Sequence, residues 1–220
     1  MKPLFSTRAL STFCALLSLT IIPRFARADV LIFDFKDPKQ ISAVSLALDS
    51  AMEPIVGYAK GISGKISFDP ANPKATKGKF FVDVSSIQFA NDGYTATARG
   101  YALNQDKFPQ LELEIKKVLG GKKISPTKYE GAVLADFTCR GVTRRKRLSV
   151  TVTYLPGKAE ERTNGSYKGD LLILRTKFSV SRTEHGISEG IPGEMVGDTI
   201  EVGVAVVGIH YTGKMPGDPK

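Results

Sequence analysis

Residues 147–154, Arg-Leu-Ser-Val-Thr-Val-Thr-Tyr, alternate polar and apolar without a fault. Successive side chains of a strand point to opposite faces, so Leu148, Val150, Val152 and Tyr154 share one face, while Arg147, Ser149, Thr151 and Thr153 share the other. An apolar face of that length has to be covered, and a polar one has to meet water. The same period of two recurs from Val30 to Lys36, Gly64 to Asp69, Gly78 to Ile87, Leu111 to Val118, Lys128 to Cys139, Leu171 to Arg182 and Thr199 to Ile209. About eight strands follow, separated by turn chemistry such as Asn72-Pro73, Gly120-Gly121, Pro156-Gly157 and Asn164-Gly165. Helical periodicity is thin. Asn91-Asp92 suits the start of a short helix running to about Leu103, and Pro38 to Leu48 reads as an irregular or helical turn. Long antiparallel strands in one domain leave costly free edges unless the sheet closes, so the expected fold is all-β, an eight-stranded antiparallel barrel with one or two short helices.

The ends of the chain alter its apparent chemistry. Lys2 and Arg8 precede an apolar run from Ala9 to Ile22, then Pro23 and Ala26-Arg27-Ala28, the pattern of a secretory signal with cleavage after Ala28. The domain then occupies residues 29–220. The whole chain carries 31 Lys plus Arg against 22 Asp plus Glu. Removing the first 28 of 220 residues takes away four basic groups and no acid, leaving 192 residues with 27 basic and 22 acidic groups, net +5. Cys14 goes with the signal, so Cys139 is left without an internal disulfide partner and reads as a buried small hydrophobe. No later apolar run reaches the roughly 18 residues of a membrane helix. An outer-membrane barrel needs a continuous lipid-facing apolar band, which Arg147, Ser149, Thr151 and Thr153 interrupt. The expected product is exported and periplasmic or secreted.

Several short segments occur together in a telling order: Gly64 to Pro70 (GKISFDP), Val84 to Ile87 (VSSI), Leu103 with Phe108-Pro109, Arg140 to Thr143 (RGVT), Arg182 to Ile187 (RTEHGI) and Val196 to Ile200 (VGDTI). In that order and spacing the chain resembles the YceI-like family. Val30 to Tyr58 matches that pattern poorly, Arg99 to Pro109 is short and lacks a His, and His185 stands where an aromatic is more usual. The resemblance implies a lipocalin-like barrel whose apolar interior holds a long isoprenoid or similar amphiphilic lipid, with no chemistry and no further cofactor. On that reading the ligand-facing positions are Phe68, Val82, Val84, Leu113, Ile115, Val150, Val152, Tyr154, Phe178, Val202 and Val204, with Ile66 and Val180 on the same faces. A filled interior, in a structural or interaction protein of the envelope, is the alternative. Association into a homodimer is left open.

Gly186-Ile187-Ser188-Glu189-Gly190 matches a nucleophile elbow, and Asp198 and His210 follow in hydrolase order, but Pro192-Gly193 prevents the helix such an elbow requires. His185 and His210 lack metal-ligand spacing, and Asn164-Gly165-Ser166 is only a formal glycosylation match. Arg144-Arg145-Lys146-Arg147 is the densest charge run. Arg144 and Lys146 fall on the face of Leu148 near a hairpin end, so they are the candidates for an anionic head group. One such run, without stacking aromatics, excludes nucleic acid as a partner.

Overall fold

The computed structural model describes residues 30–187, 190 and 194–218. The N-terminal stretch read as a secretory signal, with Cys14, and Ser188, Glu189, Pro192 and Gly193 of the elbow-like motif lie outside the described residues. The strands are β1 (Leu31–Asp34), β2 (Ala43–Leu48), β3 (Ile55–Ala59), β4 (Ile62–Phe68), β5 (Lys77–Asp83), β6 (Gln88–Phe89), β7 (Gln110–Lys123), β8 (Lys128–Cys139), β9 (Val142–Leu155), β10 (Gly169–Ser181) and β11 (Thr199–Tyr211).

Three of the eight barrel staves are broken. β1 and β2 both lie antiparallel along β11, at Asp34↔Ile209 and from Ala43↔Ala205 to Leu48↔Ile200, so together they form the first stave. β3 pairs with β2 and β4 with β1, which makes the second. β5 pairs with β4 and β6 with β3, which makes the third. β7 to β11 follow as an up-and-down meander, and the β1–β11 pairing closes an eight-stranded antiparallel barrel. Closure leaves every stave paired on both sides over part of its length.

The Pro38–Leu48 segment differs from its reading as an irregular or helical turn. After a turn at 37–40 it enters β2, where Val44 and Leu48 are buried and Ser45 and Ala47 exposed. β3 had no alternating signal because apolar residues occupy both of its faces. Val56 is 63% exposed and Tyr58 37%, while Ile55, Gly57 and Ala59 face in. A Cβ on Gly57 would meet the Phe89 ring at 2.5 Å, so the small residue there admits the aromatic of β6. The stretch read as one strand from Gly78 to Ile87 ends at Asp83 and turns through a single 3-10 turn, Val84–Ser86.

The short helix forms where it was expected. Helix α1 (Asp92–Thr97) starts at Asn91, whose side chain accepts from the Tyr94 amide at 3.1 Å, and continues through a π turn to Ala102. It lies at the end of the barrel where β8 turns into β9, here called the upper end. Arg99 Nε donates to Ile87 O at 2.7 Å and fixes the helix to the third stave. The lower end, where β7 turns into β8, is filled by edge-to-face and tilted aromatics: Phe33–Phe68 at 6.3 Å, Phe68–Tyr154 at 5.7 Å and Phe68–Tyr129 at 6.3 Å. A second short helix, α2 (Ala159–Arg162), sits outside, and its Arg162 reaches the buried carboxylate of Asp37 with Nη2 at 2.8 Å.

Candidate functional site

Inward-facing residues of a filled barrel would be fully buried, but here several are not. Leu113, Ile115, Val150, Val152, Phe178 and Val204 face inward and are only partly buried, because they border internal space. That space comprises two apolar cavities, an upper one of about 180 Å3 and a lower one of about 300 Å3. An apolar cavity of about 150 Å3 admits one benzene ring, so each accommodates a short length of hydrocarbon rather than a single methyl group.

The upper cavity lies beneath α1, which presents Tyr94, Ala98 and Ala102 to it, and between aliphatic walls that include Leu46, Ile62, Val82, Phe178 and Val202. Its few polar members are Thr97, Glu112 and Arg182. Arg182 is 4% exposed and has no carboxylate partner among the described residues. Its guanidinium instead donates to Gly197 O (2.7 Å), Ile187 O (3.0 Å) and Val196 O, so it holds two segments of the cavity rim together. The lower cavity is lined by Phe68, Ile115, Val133, Leu148, Val150 and Val152, with Lys74, Lys122, Lys123 and Glu130 at its rim. Phe80, Leu113, Val204 and Val206 line both, and form the partition between them. Phe80 is held edge-on by fully buried Phe35, ring centroids 4.8 Å apart.

Of the expected ligand-facing residues, Val82, Phe178 and Val202 border the upper cavity, Phe68, Ile115, Val150 and Val152 the lower, and Leu113 and Val204 both. Val84 and Tyr154 line neither. Val84 is fully buried in the 3-10 turn, and Tyr154 belongs to the aromatic floor, where its hydroxyl donates to Asp170 Oδ2 at 2.8 Å. Arg144 and Lys146 also line neither cavity. Arg144 is exposed, and Lys146 pairs with Glu184 at 3.6 Å.

A seam in the wall explains that pairing. β10 bonds to β9 only from Leu171↔Leu155 to Thr176↔Val150, so the upper part of β9 is left to β8 alone. The turn Thr183–His185 fills the gap: His185 is 1% exposed, its Nδ1 lies 3.2 Å from Val142 O, and its ring meets Phe137 edge-on at 5.4 Å. Arg140 Nη1 donates to Gly186 O from the other side. Burial lowers the His185 pKa below its ordinary value, and Lys146 and Arg144 add to that direction. Among the described residues His185 Nε2 has no hydrogen-bond partner, which suits a neutral imidazole.

Asp198 accepts from Ser181 Oγ, Thr183 Oγ1 and the Thr183 amide, and these bonds hold its carboxyl down at about 2. It sits at the start of β11 and His210 near its end, roughly 40 Å of strand apart, so the two do not form a charge-relay pair. His210 Nδ1 is engaged with Ile32 O at 3.0 Å. No group of three or more metal-ligating side chains occurs among the described residues.

The YceI-like domain model matches residues 36–208, most of the chain and every stave of the barrel. The chain belongs to the YceI-like family. Burkholderia cenocepacia BcnA shares the fold with a TM-score of 0.60 at 18% identity, over 76% of this chain and 95% of that one. A polyisoprenoid binding domain from Saccharophagus degradans, implicated in plant cell wall breakdown, aligns with a TM-score of 0.58 at 8% identity, over 83% of this chain and 99% of that one. The Campylobacter jejuni YCEI protein aligns with a TM-score of 0.54 at 18% identity, over 72% of this chain and 85% of that one. No curated protein sequence matches the chain.

Proposed function

We propose that this YceI-like barrel binds a polyisoprenoid or similar amphiphilic lipid, without chemical turnover, and carries or sequesters it in the bacterial periplasm. The observation that carries this reading is the pair of apolar cavities in line within one closed barrel, separated only by Phe80, Leu113, Val204 and Val206. A chain of linked five-carbon units matches an elongated apolar space better than a compact polar metabolite does. Each unit that leaves water contributes up to about 4 kcal/mol gross at ~0.8 kcal/mol per methylene, before ordering costs. Tight binding therefore needs few polar contacts, and the upper cavity offers few. The polyisoprenoid binding of the Saccharophagus degradans domain, which has this fold, supports the same class of ligand. The N-terminal segment with the pattern of a secretory signal supports export. An interior filled by side chains, the alternative expected of a purely structural protein, does not match the two voids.

The test is uptake of tritiated geranylgeraniol by the protein and by Val202→Trp and Val150→Trp, which fill the upper and lower cavities respectively. Saturable uptake that each substitution reduces is the expected result. Uptake that is absent, or unaffected by both substitutions, contradicts the proposal.

A further inference from the structure

The rim of the lower cavity is unlike the rest of the interior. β5 pairs with β7 only from Asp83↔Gln110 to Gly78↔Ile115, so β7 beyond Ile115 extends past its neighbour. It also shifts register against β8 twice, between Ile115 and Lys117 and between Val118 and Gly120. Such bulges bend a strand away from its ladder. The 3-10 turn Pro73–Ala75 stands beside this half of β7, which is paired with β8 but not with β5, and Pro73, Lys74 and Thr76 line the cavity together with Gly120, Gly121, Lys122 and Lys123. Gly120 and Gly121 bring no side chain to this wall, and a Cβ on Gly120 would point into open space. The aromatic floor of Phe33, Phe68 and Tyr154 lies across the lower end of the barrel axis. The opening is therefore lateral, between the 73–76 segment and β7.

Its fringe is basic. Lys74, Lys122 and Lys123 are exposed and, among the described residues, form no ion pair with a carboxylate. Lys123 Nζ lies 5.6 Å over the Tyr129 ring, which itself lines the cavity. Glu130, the acid on the rim, is paired with Lys128 at 3.6 Å. Unpaired ammonium groups around an apolar opening suit an anion joined to a hydrocarbon chain.

We propose that this side mouth receives the anionic head of the ligand on Lys74, Lys122 and Lys123, with the chain running inward through the lower cavity toward Phe80. The inference rests on the lipid-binding reading and adds a charge class, a phosphate or carboxylate head, together with the place and direction of entry. The Arg144 and Lys146 pair, on the seam at the upper end, takes no part in it.

The experiment compares farnesyl phosphate with farnesol, and the readout is the ratio of their affinities. Wild type is expected to favour the phosphate about tenfold at low salt, with the preference shrinking toward one near 0.5 M salt, as exposed charges are screened. The ratio is expected to collapse toward one in Lys74→Gln/Lys122→Gln/Lys123→Gln. It should persist in the charge-matched control Lys36→Gln/Lys65→Gln/Lys177→Gln, whose lysines are exposed and line neither cavity. A wild-type ratio near one, or a preference that survives the first triple substitution, overturns the inference while leaving lipid binding intact. Inorganic phosphate is the third arm: binding as tight as that of farnesyl phosphate would mark a free-phosphate site and overturn it too. Failure of both farnesyl compounds to bind overturns the lipid-binding reading itself.

Discussion

Replacing Phe80 by Ala probes the partition between the two cavities. Phe80 borders both, is 9% exposed, and packs edge-on against Phe35 at 4.8 Å. Truncating a buried Phe to Ala costs about 3–5 kcal/mol. The lower part of that range, about 3 kcal/mol, applies because the ring already faces space on two sides and gives up fewer contacts. Opposing this loss of stability is a gain in continuous interior. The lower cavity holds on the order of ten carbons when scaled from one benzene ring in about 150 Å3. In wild type a longer chain has to displace the Phe80 ring, so affinity across a prenyl alcohol series should climb steeply to about ten carbons and then flatten at the partition. In Phe80→Ala the flattening should disappear and the climb continue into the upper cavity. Competition against tritiated geranylgeraniol measures the series, and urea unfolding of the ligand-free proteins measures the cost. Phe80→Leu, which keeps most of the volume, should restore the break and most of the stability. Identical chain-length profiles for wild type and Phe80→Ala would refute the partition.

Other outcomes follow from the same packing. Cys139 lines the upper cavity and burial pushes its thiol up to about 12, so a disulfide reagent should leave the native protein unlabelled and react only after unfolding; rapid native labelling would contradict its burial. His185 has a folded pKa below its unfolded value, so the unfolded chain takes up the proton first as pH falls. Stability is full above pH ~6.5 and is lost progressively on acidification toward the lower folded value. Melting temperatures at pH 7.5 and 5.5 should therefore differ by more in wild type than in His185→Gln, and an equal difference would remove His185 as the cause. Breaking the buried Asp37–Arg162 pair with Arg162→Ala strands a carboxylate that is 2% exposed, and should cost about 3–5 kcal/mol in urea unfolding; a cost below about 1 kcal/mol would show that the pair is solvated.

The barrel was legible because each of its eight staves contains one stretch of alternating polar and apolar residues, in β1, β4, β5 and β7 to β11. Lys128 to Cys139 appears in the structure with the bounds its alternation suggested. β2 and β3, the other halves of the first two staves, were harder to read for a physical reason. Ala43 and Ala47 weaken the contrast in β2, and β3 has none, with Val56 and Tyr58 outside and Ile55, Gly57 and Ala59 inside. Period two brings residues to the cavity walls where a strand is regular, as at Val150, Val152, Val202 and Val204. The same rule put Val84 with them because a 3-10 turn leaves no mark on alternation. Charge density drew attention to Arg144 and Lys146, yet local density does not show which basic groups a fold gathers. Lys74 and Lys122 are 48 positions apart, and only the overhang of β7 beyond β5 brings both to one rim. The place of α1 over the upper cavity was not read from the sequence, although Tyr94, Ala98 and Ala102 recur at four-residue spacing, the period of one helix face.

Native mass spectrometry of the purified protein, coupled to solvent extraction of whatever it carries, bears most directly on an interior that holds lipid. A bound species that survives purification, extracts into organic solvent, has the mass of an isoprenoid or related amphiphile, and is lost in Val150→Trp is the expected result. A protein that arrives at its bare polypeptide mass, and stays there after incubation with isoprenoid quinones and prenyl phosphates, would contradict lipid binding in this barrel.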